Sequence, residues 1–146
     1  MPTLEAATRS GGPHKGLAFG ALRLFIALFG FVCCLIALAH IIVGPASIPG
    51  AGVVNATMDS EERFYATLFL AFGAALIWCS RDLQVRGGVF SALLITFFGG
   101  GIARLISATL VGLPNSLFIF LGGVELALPP LLWWWWRSRA LSESRS

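Results

Sequence analysis

The chain has 146 residues, of which 57% are hydrophobic and 12% are charged, and its formal net charge is +3. Soluble domains carry roughly 25% charged residues, so this chain has too few polar side chains to cover a soluble fold of its size. The composition therefore excludes an ordinary soluble domain and favours one compact domain in a membrane.

Long apolar stretches dominate the chain after a short polar start. They are continuous rather than alternating, which indicates helices and argues against a membrane barrel. A spanning helix needs about 20 residues, with a range of about 17 to 25. We therefore predict an all-α bundle of four transmembrane helices, running up-down-up-down, with spans at about 22–43, 61–80, 89–113 and 115–136.

The segments around these spans complete the predicted organisation. Residues 1–16 are small and polar, and we expect a disordered tail there. Residues 17–136 form the predicted membrane domain, and residues 137–146 form a second, basic tail. Asp59 or Ser60 is the expected N-cap of the second helix, because both side chains can accept hydrogen bonds from the first turn.

Basic residues predict the orientation. They precede the first span, separate the second from the third and follow the fourth, whereas the other two links are acidic or uncharged. The positive-inside rule then places both termini in the cytoplasm of a multi-pass protein in the plasma membrane. An aromatic anchor is expected at the inner membrane surface, formed by Trp133, Trp134, Trp135 and Trp136.

Two charges lie deep inside the last two spans. Arg104 stands about nine residues before the outer end of the third helix, and Glu125 about ten residues after the start of the fourth. At 1.5 Å per residue, both lie roughly 14 Å from the outer surface. Charges in hydrocarbon are costly unless paired. The pair is either a salt bridge that fixes helix register or part of a ligand or proton site.

Other polar residues also fall in the outer half of the predicted bundle. His40 shares a face of the first span with Gly30, Cys33 and Ala37, so it is expected to point inward. It forms either a helix–helix hydrogen bond or part of a reactive site. The candidate pocket residues are His40, Arg63, Tyr65, Arg104, Ser107 and Glu125.

Residues 59–65, 99–107 and 112–114, together with Glu125 and Pro129, resemble a bacterial family of small four-helix integral membrane proteins. That family is known only as a domain of unknown function. Its pattern has an acid-Arg-Tyr start to the second helix, a Gly-Gly-x-x-Arg third helix and a glutamate in the fourth. The resemblance covers about residues 20–136. It implies the four-helix topology, singles out Arg63, Arg104 and Glu125, and implies no activity.

Three functions remain open from the sequence. The first is a non-enzymatic accessory or scaffold subunit that packs with a larger membrane complex or its own copies. The second is a binder or carrier of a lipid or other apolar ligand in an outward-facing pocket. The third is a membrane enzyme that uses Glu125 or His40 as acid or base.

We expect membrane lipid as a partner. We expect no nucleic acid, no metal and no cofactor, because the sequence contains no corresponding motif.

Overall fold

The computed structural model describes residues 13–143, with side chains from 19 to 138. Four α-helices fill this part of the chain, and no strand occurs in it. Each helix is long and apolar enough to cross a membrane, by length and composition. The predicted all-α, four-span architecture is confirmed. The helices are α1 (Pro13–Val43), α2 (Ala56–Ser80), α3 (Gly87–Leu110) and α4 (Ser116–Glu143).

The helix ends differ from the sequence expectation at several points. α1 begins at Pro13 and so includes residues 13–16 of the expected tail, since proline is tolerated in a first turn. Residues 1–12 and 144–146 lie outside the described residues. α4 continues to Glu143, and no glycine or proline between 131 and 143 interrupts it. The first and last helices, α1 and α4, therefore extend beyond their apolar segments.

The N-cap of α2 is Asn55, not Asp59 or Ser60. The Asn55 side chain accepts a hydrogen bond from the backbone N–H of Met58 at 3.0 Å. Asparagine caps a helix as well as aspartate or serine does, and here it stands earlier in the chain. Asp59 is consequently inside the helix, where it is free to bond a side chain one turn later.

α1 and α2 form the first antiparallel hairpin. At the proximal end, defined as the end that holds the link 81–86, Arg23 Nε donates to the carbonyl of Ser80 at 2.7 Å. In the middle the backbones nearly touch, because a Cβ on Gly30 would lie 2.7 Å from the Gly73 carbonyl oxygen. Small residues allow such close approach between apolar helices, so the glycines set the separation within this hairpin.

α3 and α4 form the second antiparallel hairpin. A Cβ on Gly101 would lie 2.8 Å from Leu126 Cγ and 3.1 Å from Glu125 Cβ. Near the proximal end, the ring of Trp136 occupies the space beside Gly87 and meets Phe90 edge-on at 6.0 Å. The tight glycine contact holds α4 against α3 at the height of the charged residues.

Large side chains join the two hairpins. Next to the proximal end they share a buried core, and the ring of Phe97 on α3 then contacts Phe29 on α1 and Phe72 on α2 at 5.4 and 5.6 Å. At the distal end, which holds the links 44–55 and 111–115, a Cβ on Gly50 would lie 3.3 Å from Asn115 Cβ. The core residues are Leu22, Ile26, Leu76, Cys79, Leu83, Phe90, Leu94 and Leu132.

Candidate functional site: ionisable residues of the distal half

Arg104 and Glu125 meet across the second hairpin. The Nε of Arg104 donates to Glu125 Oε2 at 2.7 Å. Glu125 is buried, with 8% of its surface exposed, whereas the Arg104 side chain is 40% exposed. The two charged side chains are thus level with each other along the hairpin and in direct contact.

The backbone of α4 makes room for the arginine. A Cβ on Gly122 would lie 3.5 Å from Arg104 Cδ, so the arginine stem runs beside this glycine. The guanidinium carbon lies 5.3 Å from the ring centroid of Phe118, which is a favourable cation–π position. Gly101, Gly122 and Phe118 therefore position a cation between α3 and α4.

His40 and Glu62 form a second pair, across the first hairpin. His40 Nδ1 lies 2.8 Å from Glu62 Oε1, and the two side chains are 24% and 18% exposed. Glu62 Oε2 is buried without a hydrogen-bond partner among the described residues. The inward direction expected for His40 is what the structure has. Glu62, although it lies in the second turn of α2, is thus directed inward rather than into solvent.

A signal for Glu62 is present in the sequence. Ala66, Gly73, Leu76 and Cys79 are among the buried positions of α2 below it, and residues three, four or seven apart share one helix face. Glu62 extends this series toward the distal end by one turn. The face of α2, rather than the charge of its first turn, indicates that this glutamate turns inward.

Arg63 closes the end of α1. Its Nε and Nη2 donate to the two carboxylate oxygens of Asp59 at 2.9 and 3.2 Å. Its Nη1 donates to the carbonyls of Ile41 and Ile42, which are carbonyls that a helix end leaves without internal partners. Gly44, at φ +73°, lies against this guanidinium. Arg63 therefore ties α2 to the end of α1 and is not part of a shared pocket.

Two of the six sequence candidates stand apart. Tyr65 is 61% exposed and its ring contacts the neighbouring Phe64 at 5.5 Å. Ser107 is exposed on α3. Within the described residues, no hydrogen bond or ion pair joins His40 or Arg63 to the Arg104–Glu125 pair. Among the described residues, the three ion pairs at this end are therefore local contacts between neighbouring side chains.

The four tryptophans of α4 divide into two groups. Trp133 and Trp134 are exposed, and Arg137 lies 4.8 Å over the Trp133 ring. Trp135 and Trp136 instead pack against the core. Four consecutive helical residues cover all sides of a helix, so two of the four rings face the core and two are exposed. An interfacial aromatic anchor needs exposed rings.

A cavity of about 530 Å³ opens at the distal end, between the end of α1 and the following link. Its lining includes Val43, Pro45, Val54 and Asp59, and none of the six sequence candidates. Among the described side chains, no group of three or more His, Cys, Asp or Glu is placed to hold a metal ion.

The family model described as "Domain of unknown function (DUF4345)" matches residues 21–136. The match covers well over half of the chain, and the chain belongs to this family. The resemblance to a family of unknown function is confirmed. No curated protein and no solved structure matches the chain.

Proposed function

Because membership of this family assigns no activity, we propose a function from the geometry: a multi-pass plasma-membrane protein that serves as a non-enzymatic accessory subunit. In this role it packs with another membrane protein or with its own copies. The observation that carries the proposal is the pairing within hairpins. Arg104 with Glu125, and His40 with Glu62, contact each other directly at 2.7 and 2.8 Å.

Such pairing favours a structural role for the charges. A general acid or base must reach the atom whose proton it transfers. Glu125 and His40 are the candidates for that chemistry, and each already contacts an ionisable neighbour on the adjacent helix. A paired charge in an apolar surrounding fixes which residues of two helices lie opposite each other. Fixed register is what a packing subunit needs.

The small-residue face of α3, defined by Gly88, Ala92, Gly99 and Ala103, supports association with another transmembrane helix. All four residues are exposed, and a Cβ on Gly88 or Gly99 would meet nothing within 4 Å. Their spacing of four, seven and four residues places them on one side of the helix. Small residues allow a second helix to approach closely in a membrane, so this face suits a neighbouring helix.

The positive residues support an orientation for the proposal. Arg23, Arg81, Arg86 and Arg137 all lie near the proximal end, and the nearby acid there is Asp82. The positive-inside rule puts such an end in the cytoplasm. The accessory subunit would then hold both termini in the cytoplasm, with the ionisable pairs in the outer half of the membrane.

Native mass spectrometry of the full chain in mild detergent tests the accessory role. We expect a stoichiometric complex, either a homo-oligomer or a complex with one membrane protein. Gly99→Leu should dissociate it, because the larger side chain separates the helices. Gly123→Leu is the matched control, since Gly123 on α4 is equally open. A monomeric wild-type protein, or a complex that survives Gly99→Leu, would contradict the proposal.

A further inference from the structure

The last turn of α2 brings together arginines from three points of the chain. Arg23, on α1, donates from Nε and Nη2 to the carbonyls of Ser80 and Arg81. Arg86, directly before α3, donates from Nη1 to the carbonyl of Trp78. A helix end leaves its last carbonyls without internal partners, so these bonds satisfy them and hold two guanidiniums at one place. Arg81 itself is the C-cap of α2. We call these three residues, Arg23, Arg81 and Arg86, the proximal arginine cluster.

Positive charge prevails in the proximal arginine cluster. Within the described side chains, none of its three members forms an ion pair with a carboxylate. The acid that adjoins it in sequence is Asp82, whose Oδ1 accepts a hydrogen bond from the backbone N–H of Val85. Three positive charges thus face one negative charge, and the end of a helix contributes only about half a negative charge more. The cluster is therefore suited to an anion.

The cluster also keeps donors for an anion. A guanidinium carries five N–H donors, of which Arg23 uses two in the bonds to α2 and Arg86 uses one. The Arg81 side chain is exposed and forms no hydrogen bond or ion pair within the described residues. The backbone bonds therefore position the cluster without exhausting it.

Aromatic and aliphatic surface adjoins the cluster. The guanidinium carbon of Arg86 lies 4.1 Å from the ring centroid of Trp78, and that tryptophan is 46% exposed. Leu24, next to Arg23 in sequence, is 60% exposed. The apolar helix α2 ends at Ser80, so the cluster lies where hydrocarbon gives way to lipid headgroups. Tryptophan is enriched at that level of a membrane.

This combination of charge and apolar surface selects among phosphate-bearing partners. Arginine binds phosphate oxygens through strong charge-assisted hydrogen bonds. Free phosphate would gain nothing from the exposed Trp78 and Leu24. A zwitterionic phospholipid carries an ammonium group that the arginines repel. An anionic phospholipid offers the phosphate, the net charge and the acyl chains together.

We propose that the proximal arginine cluster binds the phosphate group of an anionic phospholipid. The acyl chains of the lipid would extend from the cluster along the exposed apolar surface beside Trp78 and Leu24. This inference goes beyond the accessory role and does not depend on it.

Titration of the full-length protein in neutral detergent with dioleoylphosphatidylglycerol, followed by native mass spectrometry, tests the proposal. We expect saturable binding that is tighter than binding of dioleoylphosphatidylcholine. Arg81→Gln should weaken it about fivefold, the typical contribution of one arginine beside anionic lipid. This change leaves intact the backbone carbonyl that accepts from Arg23. Asp82→Asn keeps an oxygen for the Val85 N–H, removes the opposing charge and should strengthen binding.

Arg137→Gln is the matched control, because it removes the same charge at the same end of the bundle. Arg137 lies over the Trp133 ring of its own helix, so its loss should weaken binding less than the loss of Arg81 does. Equal weakening by the two variants would show attraction by diffuse surface charge and would overturn the proposal.

Three other results would also overturn the proposal. They are equal binding of the two phospholipids, undiminished binding by Arg81→Gln whose folding is verified by circular dichroism, and displacement of the lipid by an equal concentration of inorganic phosphate. A monomeric chain that still prefers dioleoylphosphatidylglycerol would refute the accessory role and leave the lipid site standing.

Discussion

Removing the positive partner of Glu125 should destabilise the protein. Arg104→Met keeps most of the apolar stem beside Gly122 and removes the guanidinium. Glu125, only 8% exposed, is then a buried carboxylate without its cation. Breaking a buried pair in this way costs about 3–5 kcal/mol, and the half-exposed position of Arg104 reduces the loss through solvent screening.

Denaturant unfolding in mild detergent at pH 7 measures the effect. Arg104→Lys is the matched control, because it keeps a cation, and it should lose less stability than Arg104→Met. Arg104→Met/Glu125→Gln, which carries neither charge, should be more stable than Arg104→Met. If the double variant is as unstable as Arg104→Met, mutual neutralisation is not the reason for the pair.

Three substitutions test the packing and the helix ends. Gly44→Ala should lower the free energy of unfolding by at least about 1 kcal/mol, since Gly44 has φ +73° and its Cβ would lie 2.5 Å from Arg63 Nη2. Gly52→Ala lies in the same link but has open space around its Cβ, so it should change the free energy of unfolding little. Gly30→Ala should separate α1 from α2 and destabilise the fold, because its Cβ would lie 2.7 Å from a backbone carbonyl, whereas Gly99→Ala should be tolerated. Asn55→Ala removes the N-cap of α2 and should cost about 1 kcal/mol. On heating, its circular dichroism signal at 222 nm should be lost at a lower temperature than that of the wild type. Equal stability of a glycine variant and its control, or of Asn55→Ala and the wild type, would contradict the corresponding contact.

Composition and spacing were sufficient for the fold. The apolar stretches predicted four helices because only helices satisfy their own backbone within hydrocarbon. Their ends were less predictable. α2 begins directly after Asn55, ahead of the expected cap Asp59, and α4 continues past its last tryptophan because no glycine or proline follows there. Such boundaries depend on which of several nearby residues caps the helix and on how far helix-favouring residues continue. Hydropathy measures neither property.

The pair of Arg104 and Glu125 was predictable because two facts of the sequence determine it. When two antiparallel helices begin at known residues, the relative heights of their side chains are known as well. Two isolated opposite charges at one height then have their lowest free energy as an ion pair. Arg63 was harder to place. Its contacts are backbone carbonyls of Ile41 and Ile42, and every residue has a carbonyl, so no residue type marks the acceptor in the sequence.

The contacts within each hairpin differ in kind from the contacts between the two hairpins, and this difference affects how the bundle assembles. The ion pairs His40–Glu62 and Arg104–Glu125 each join the two helices of one hairpin, whereas the two hairpins meet through aliphatic and aromatic side chains. Each hairpin can therefore neutralise its deep charges before it meets the other. Moving paired charges into an apolar surrounding is much less costly than moving single ones. Docking of the hairpins then has to bury mainly apolar surface.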